Sequence, residues 1–344
     1  MIPVLAWQQM PLAELLARRE RMPHALLIHG RKGIGKVVFA RALAQSLLCE
    51  TPGADGIACG ICPACGWFTE ANHPDFREIV PEAMSALDDE DDGPAAEPAK
   101  PEKKSAWITI DQVRDIGQFM TLSTHRDGFR VLLVHPADAM NAAAANALLK
   151  TLEEPARRSL ILLVSDQPGR LLATVRSRCQ KFALAVPDSA AAIAWLVGQG
   201  VDGATAPALL AQAGGAPLLA LQWAEPDYRA QRRRFLEALS APNDADWLGL
   251  AAAFEKSDLR QVMHWLQTWC ADLILQKSAG RIGYNPDCRG ALEALARRAP
   301  LPALFRYESQ LRSSRRTLAH PLNARLLLEQ LFLSYNRTVE PTDR

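Results

Sequence analysis

The chain lacks an apolar run long enough to cross a membrane, since a spanning helix needs about 20 consecutive apolar residues. It also lacks an excess of either charge. Its 39 Lys and Arg residues and 38 Asp and Glu residues give a formal net charge of +1, which offers no global argument for a polyanionic partner. The amino terminus shows no signal-peptide pattern, so the cytoplasm is the expected location. At 344 residues, with 49% hydrophobic residues, the chain is expected to form two or three domains.

A disulfide framework is not expected either, because the chain has an odd number of cysteines, seven, and four of them are clustered. Cys59, Cys62 and Cys65 follow one another at two-residue spacing, and Cys49 precedes them. Four thiolates make a closed tetrahedral zinc site, so the predicted role of the metal is structural. His73 is an alternative to Cys49 as the fourth ligand. The remaining cysteines are interpreted as ordinary semi-buried residues: Cys179, Cys270 and Cys288.

A phosphate-binding loop is present, but one of its chemical groups is missing. The apolar run 25–29 predicts a buried strand, and it leads into Gly30, Gly33, Gly35 and Lys36 at P-loop spacing. Backbone N–H groups of such a loop cradle phosphates, and the lysine neutralises them. The next residue, which should offer a Mg²⁺-binding hydroxyl, is Val37. Nucleotide binding without hydrolysis stays open because the glycines and the lysine are present.

A second group needed for hydrolysis is also absent. Residues 131–134 predict another buried strand, and P-loop ATPases place a carboxylate at the end of such a strand to support Mg²⁺. Here the strand is followed by His135 and Pro136, and the first acid is Asp138. A shifted register that uses Asp138 is the alternative. The two losses together argue against ATP hydrolysis by this chain.

The order of elements up to about residue 184 predicts a parallel α/β sheet. A helix is predicted at 141–154, with Asn141 as its N-cap and Pro155 ending it. The acidic, Pro- and Ala-rich segment 81–104 is predicted to be a disordered insertion. The predicted strands are 25–29, 131–134 and 160–164, with others around 76–80 and 107–110, and the helices are 37–48 and 141–154.

After Pro187 the strand signal ends, and helical periodicity predicts an antiparallel bundle. Its tryptophan stripe, which includes Trp265 and Trp269, is interpreted as core or as a subunit interface. The predicted helices are 228–239, 258–277, 291–299, 301–318 and 323–334.

Arg178 lies between Ser177 and Cys179, shortly after the strand 160–164. The planar, permanently charged guanidinium of arginine suits it to grip a phosphate bidentately. An exposed arginine at a subunit edge can complete the active site of a neighbour and stabilise charge in its transition state. Without further context, however, an arginine after a serine indicates only a solvated face.

Several motifs together give Arg178 that context. They are the four-cysteine knuckle after the P-loop helix, His73-Pro74-Asp75, the segment 146–155 (NALLKTLEEP) and the segment 171–179 (LLATVRSRC). With these motifs the chain resembles, over essentially its whole length, the delta-prime family of bacterial DNA polymerase III clamp-loader subunits. That family consists of AAA+ relatives of the ATP-hydrolysing gamma/tau subunits.

The resemblance implies an α/β AAA+ P-loop domain at 1–184 with a zinc knuckle at 49–65, a small helical lid at 185–223, and a helical collar at 224–344. It implies that Arg178 is an arginine finger acting in trans and that Cys49, Cys59, Cys62 and Cys65 hold zinc. Pro217 would stand where the active subunits keep a phosphate-sensing arginine. The implied partners are the gamma/tau and delta subunits, the sliding clamp and primer–template DNA. The chain would then have no independent ATPase activity of its own and would belong to a DNA-directed DNA polymerase holoenzyme.

Three other functions compete with this one. A catalytic AAA+ ATPase of the gamma/tau kind is opposed by Val37, His135 and Pro136. A small-molecule P-loop kinase would leave the cysteine knuckle and the helical tail unexplained, and it also needs the missing hydroxyl. A zinc-knuckle nucleic-acid-binding protein would need a basic and aromatic cluster beside the knuckle, where the sequence has none.

Overall fold

The computed structural model describes residues 2–88, 105–121, 128–318 and 323–340. Contacts within the chain divide it into two compact units, Met1–Asp188 and Ser189–Arg344. The first unit holds the parallel sheet and the second is helical. The finer division into a lid at 185–223 and a collar at 224–344 stays a prediction.

Five strands form one sheet in the first unit, and all neighbouring strands are parallel. They are β1 (Ala25–His29), β2 (Phe76–Ile79), β3 (Arg130–Val134), β4 (Ser159–Ser165) and β5 (Gln180–Ala183). Their order across the sheet is β2-β3-β4-β1-β5. Every residue of β3 and β4 is buried, as expected for central strands of a sheet that is covered on both faces. Because the strands are parallel, their carboxyl ends lie along one edge, which positions the loop after β1 beside the ends of β3 and β4.

The predicted strands 25–29, 131–134, 160–164 and 76–80 are confirmed to within about one residue. The predicted strand 107–110 is wrong. Ile108 makes a single bridge to Met140, and a helix begins two residues later because the backbone N–H of Thr109 donates to Gln112 Oε1 at 2.9 Å. A Thr followed three residues later by Gln is a capping signal. Strand β5 was not predicted, since its mixed polar composition gives no apolar run.

The first unit also contains seven α-helices within the described residues, and Asn141 caps one of them as predicted, its side chain accepting from Ala144 N at 2.8 Å. The insertion predicted to be disordered from residue 81 instead begins with a helix, because Glu82 to Leu87 are mostly good helix formers; residues 89–104 lie outside the described residues. The helices are α1 (Gln9–Leu16), α2 (Lys36–Leu48), α3 (Pro63–Thr69), α4 (Glu82–Asp88), α5 (Ile110–Thr121), α6 (Ala142–Glu153) and α7 (Ala173–Ser177).

The described part of the second unit is built from nine α-helices, which include all five predicted ones. Trp265 and Trp269 lie in its buried core, where Trp269 Nε1 donates to the Tyr335 hydroxyl at 2.8 Å. The helix Trp247–Phe254 was not predicted from the sequence. The helices are α8 (Ser189–Gly198), α9 (Ala206–Gln212), α10 (Pro217–Gln222), α11 (Pro226–Ser240), α12 (Trp247–Phe254), α13 (Leu259–Ala279), α14 (Arg289–Arg298), α15 (Leu301–Thr317) and α16 (Ala324–Val339). In the described part of the chain, no helix combines the length and apolar character of a membrane span.

Candidate functional site

The P-loop leads from the carboxyl end of β1 directly into α2. Gly33 and Gly35 have φ values of 83° and 89°, a left-handed conformation that glycine adopts without a steric cost. The side chain of Gln8 lies against the loop and donates from Nε2 to Ile34 O at 3.1 Å and to Gly35 O at 2.8 Å. A Cβ atom at Gly35 would lie 2.6 Å from that amide nitrogen. The loop therefore has a backbone shape that requires glycine, and the amino-terminal segment packs closely against it.

Lys36, the lysine of the loop, is already bound by groups of its own chain. Its Nζ lies 2.5 Å from Asp166 Oδ1 and donates to Arg31 O at 2.7 Å. The side chain of Lys36 is 4% exposed, and that of Asp166 is 34% exposed. The ammonium that would face a phosphate is thus neutralised by a carboxylate. Sequence reasoning missed this pair, although Asp166 directly follows β4 and β4 neighbours β1, so parallel pairing places it beside the loop.

The region where an ATPase would hold Mg²⁺ is occupied by an ion-pair network. His135 follows β3, and its Nε2 lies 2.6 Å from Glu78 Oε1. Arg41 on α2 donates to the same carboxylate from Nη2 at 2.8 Å and from Nε at 3.0 Å. Burial raises the pKa of Glu78, but the hydrogen bonds from His135 and Arg41 outweigh that effect and lower it. Glu78 and Arg41 were not predicted as site residues, because only the fold brings β2, α2 and β3 together.

Asp138 and Val37 complete the description of this edge. Asp138 accepts a hydrogen bond from Ser165 Oγ at 2.5 Å, and Ser165 is fully buried at the end of β4. Val37, half-buried in the first turn of α2, offers no oxygen atom to a metal. Asp138 therefore serves as a hydrogen-bond acceptor for the neighbouring strand.

The cysteine cluster lies between the end of α2 and the start of α3. Cys49 Sγ is 3.6 Å from Cys59 Sγ and 3.8 Å from Cys62 Sγ, and Cys59 Sγ is 4.0 Å from Cys65 Sγ. All four sulfur atoms lie within 4.8 Å of one another. A regular tetrahedron with metal–sulfur bonds of about 2.3 Å places its sulfurs about 3.8 Å apart. The cluster therefore has the size of a four-thiolate metal site, which agrees with the metal-binding prediction.

Hydrogen bonds around the cluster also favour thiolates. The backbone N–H groups of Cys59 and Cys65 donate to Cys49 Sγ and Cys62 Sγ at 3.3 and 3.4 Å. The hydroxyl of Thr51 lowers the pKa of Cys59 to about 6, whereas burial raises that of Cys65 to about 12. A bound cation would hold all four sulfurs deprotonated. His73 is not part of this cluster, and its Nδ1 accepts from the backbone N–H of Asp75 at 3.1 Å.

Arg178 lies directly after α7, on the surface. Its Nη2 is 2.6 Å from Glu153 Oε1, and its Nη1 donates to Thr174 O at 3.0 Å. Glu153 is the last residue of α6, so the motif 146–155 and the motif 171–179 meet at this ion pair. The Arg178 side chain is 38% exposed. Two contacts thus orient the guanidinium while part of it stays accessible to another molecule.

Comparisons with known proteins agree with this arrangement. A family model described as "DNA polymerase III, delta subunit" matches residues 8–188, and its C-terminal counterpart matches residues 226–337. DNA polymerase III subunit delta' of Pseudomonas aeruginosa is 33% identical to this chain over an alignment of 344 positions. The alignment covers 97% of this chain and 98% of that protein. The chain belongs to the delta-prime family of DNA polymerase III clamp-loader subunits.

Further relatives support that membership. DNA polymerase III subunit delta' of Escherichia coli is 30% identical over 326 residues, 92% of this chain and 90% of that protein. DNA polymerase III subunit tau of the same organism is 31% identical over 168 residues, 49% of this chain and 22% of that protein. The parallel five-stranded sheet followed by a helical unit fits the AAA+ fold. The predicted family and clamp-loader membership are confirmed, and the predicted fold class is confirmed for the parallel α/β sheet and the C-terminal helical unit.

Proposed function

We propose that this delta-prime subunit does not hydrolyse ATP and instead acts in trans on the ATP of an adjacent gamma/tau subunit. The observation that carries the proposal is the state of the P-loop edge. Lys36 is ion-paired with Asp166, Val37 replaces the Mg²⁺-binding hydroxyl, and β3 is followed by His135, bound to Glu78, where an ATPase has a carboxylate. Metal-assisted phosphoryl transfer depends on positioned oxygen ligands, and this edge supplies none of the expected ones.

Arg178 is the residue proposed to act on the neighbour. Phosphoryl transfer develops negative charge on the transferred group, and an arginine supplied in trans stabilises that charge by roughly 10³- to 10⁵-fold in turnover. The pairing of Arg178 with Glu153 at 2.6 Å restricts the guanidinium to the surface beside α6. A phosphate carries more charge than one carboxylate, so the finger would exchange Glu153 for the nucleotide when the subunits meet.

The metal proposed for the cysteine cluster is a structural Zn²⁺. Four sulfur ligands leave no coordination position open to a substrate, and sulfur-only sites are typical of structural zinc. The separations of 3.6, 3.8 and 4.0 Å between sulfurs fit that geometry. Zinc would fix the loop between α2 and α3.

The assembly proposed for the subunit contains gamma/tau and delta, and it loads the sliding clamp onto primer–template DNA in the cytoplasm. ATP bound by the neighbours would close the AAA+ modules around DNA and open the clamp, and hydrolysis would release the clamp closed. Residues 185–223 are proposed to form the lid, where Pro217 begins α10, and residues 224–344 the collar. The main competing function is an active gamma/tau-type ATPase.

The test is ATP hydrolysis by the complex reconstituted with gamma/tau and delta, stimulated by DNA and clamp. Arg178→Ala is expected to lower turnover at the adjacent gamma/tau site by about 10³-fold or more at unchanged assembly. Arg170→Ala removes an exposed arginine from the neighbouring turn and serves as the matched control. Equal turnover in both variants would reject the finger. Hydrolysis by the lone chain would reject the non-catalytic assignment and favour the gamma/tau-type ATPase.

A further inference from the structure

A cavity of about 600 Å³ lies beside the cysteine cluster, at the end of the sheet where the strands begin. We call it the knuckle cavity and define it by Arg19, His24, Trp67, His73, Phe129 and Arg158. Residues at the amino ends of β1, β2, β3 and β4 line it, together with Cys49 and Ala64 of the knuckle. The P-loop lies at the opposite, carboxyl ends of the same strands. The volume of the knuckle cavity is within the range of ligand pockets, about 300–1,000 Å³.

Hydrogen-bond donors line one part of the knuckle cavity. His73 is buried, and burial lowers its pKa, so the ring is neutral. Because its Nδ1 accepts from Asp75 N, its proton lies on Nε2, which can donate to a ligand. In the wall, His24 Nε2 is buried and has no hydrogen-bond partner among the described residues. An unsatisfied buried polar atom of this kind is unfavourable, and a small rotation towards a bound acceptor would satisfy it.

Two arginines add positive charge at the same place. Arg19 is held in position, since its Nη2 donates to Leu47 O at 2.8 Å and its guanidinium lies over the Phe129 ring, 5.6 Å from the centroid. Arg158 is exposed at the rim and has a φ of 54°, a conformation that costs a non-glycine residue free energy. Guanidinium groups and imidazole N–H groups together suit a carboxylate.

The total charge of the lining decides between possible anions. Glu20 and Glu50 also line the cavity and balance Arg19 and Arg158. The remaining acid, Asp75, is neutralised by Arg130 at 2.8 Å, and both side chains are at least 94% buried. A nucleic acid or a polyphosphate needs a surplus of positive charge, which this lining lacks. A ligand with one carboxylate needs no such surplus, because it can pair directly with a single guanidinium, Arg19 or Arg158.

Apolar surface makes up the rest of the wall. Met22, Leu48, Trp67, Phe129 and Pro155 contribute to it, and the Trp67 ring stands edge-on to His73 with the centroids 6.1 Å apart. Tryptophan and arginine are the residues that most often dominate peptide and protein binding. We propose that the knuckle cavity binds a short peptide segment of a partner protein, in which an acidic residue stands next to a large apolar side chain.

The test uses the full-length, zinc-loaded chain and fluorescence anisotropy of labelled hexapeptides that carry Asp or Glu beside Leu, Phe or Trp. A matched panel has Lys in place of the acid. Saturable binding of the acidic panel is expected, and Arg158→Ala should weaken it about tenfold, as the loss of one charge-assisted hydrogen bond implies. Arg157→Ala is the control, because Arg157 is the exposed neighbour and does not line the cavity.

A second variant tests the place of binding. Ala156 is half-buried in the wall, and its carbonyl, which accepts from Ser159, is kept in Ala156→Phe. The added ring is expected to fill the cavity and abolish binding at an unchanged melting temperature and zinc content. The proposal is overturned by no saturable binding below about 1 mM, by equal effects of Arg157→Ala and Arg158→Ala, or by binding that survives Ala156→Phe. Displacement by ATP or oligothymidylate would show a nucleotide site instead.

Discussion

Replacing Asp166 by Asn tests whether the P-loop lysine is neutralised from within the chain. Breaking a fully buried ion pair by removing one partner costs about 3–5 kcal/mol, because the other charge is left uncompensated. Lys36 is almost fully buried, but Asp166 is 34% exposed, and water screens part of the interaction. The expected loss of unfolding free energy for Asp166→Asn is therefore about 1–3 kcal/mol.

Replacing the other partner of the ion pair, Lys36, should cost less unfolding free energy. Lys36→Met leaves a carboxylate that water can reach, so the expected loss is about 1 kcal/mol or below. The double variant has no unpaired charge and is expected to be about as stable as Lys36→Met, because replacing both partners by neutral groups removes the buried charge itself. This asymmetry and the non-additivity are the signature of the pair at 2.5 Å.

Hydrogen exchange during urea titration is the suitable assay, read on peptides from β1 and α2. The chain has two compact units, so a global signal would mix two transitions. Asp115→Asn makes the same chemical change at an exposed position on α5 and should alter the unfolding free energy by less than about 0.5 kcal/mol. The reasoning fails if Asp166→Asn costs no more than Lys36→Met, or if the two single effects add in the double variant.

Three further predictions concern other parts of the chain. Cys62→Ser should abolish zinc binding, measured by elemental analysis, and lower the melting temperature of the first unit by about 10 °C, whereas Cys288→Ser, outside the cluster, should keep the metal. Tyr335→Phe should cost about 2–3 kcal/mol of unfolding free energy in urea, because it leaves Trp269 Nε1 and Leu239 O unpaired in the core; a loss below about 0.5 kcal/mol would contradict this. Since the pKa of Glu78 is lowered in the folded chain from its ordinary value of 4.5, its ionised form stabilises the fold above that pH and this contribution is lost as pH falls through the folded pKa. The melting temperature of Glu78→Gln should therefore lie below that of the wild type at pH 7 and approach it as the pH falls through the folded pKa, and a constant difference would refute the linkage.

The elements predicted correctly from the sequence are those whose signal is local. The central strands β3 and β4 are continuous apolar runs, and the cap of α6 is a single side chain, Asn141, that bonds to a nearby N–H group. The four cysteines were predicted as one cluster because three of them lie within seven residues. The error at 107–110 also comes from a local signal. Two alternating apolar residues there resemble a strand, but Thr109 and Gln112 begin a helix.

What the sequence did not predict depends on distant residues meeting. Lys36 and Asp166 are 130 positions apart. Glu78 reaches His135 through the pairing of β2 with β3, and it reaches Arg41 because α2 packs beside these strands. Strand β5 completes an edge of the sheet with polar residues, so no periodicity reveals it. The knuckle cavity is formed by the beginnings of four strands, and its charge balance can be read only once those strands are ordered.

The loss of ATPase groups at the P-loop edge is therefore more than a missing hydroxyl. Three polar groups that could face a nucleotide or a metal are each satisfied within the chain: Lys36 by Asp166, Glu78 by Arg41 and His135, and Asp138 by Ser165. Restoring a hydroxyl at Val37 alone would leave all three contacts in place, so Val37→Thr is expected not to create an ATPase. Because these charges are already paired within the chain, we expect little change of conformation when a nucleotide is present. This agrees with the proposal that Arg178 acts on a neighbouring subunit from a fixed surface.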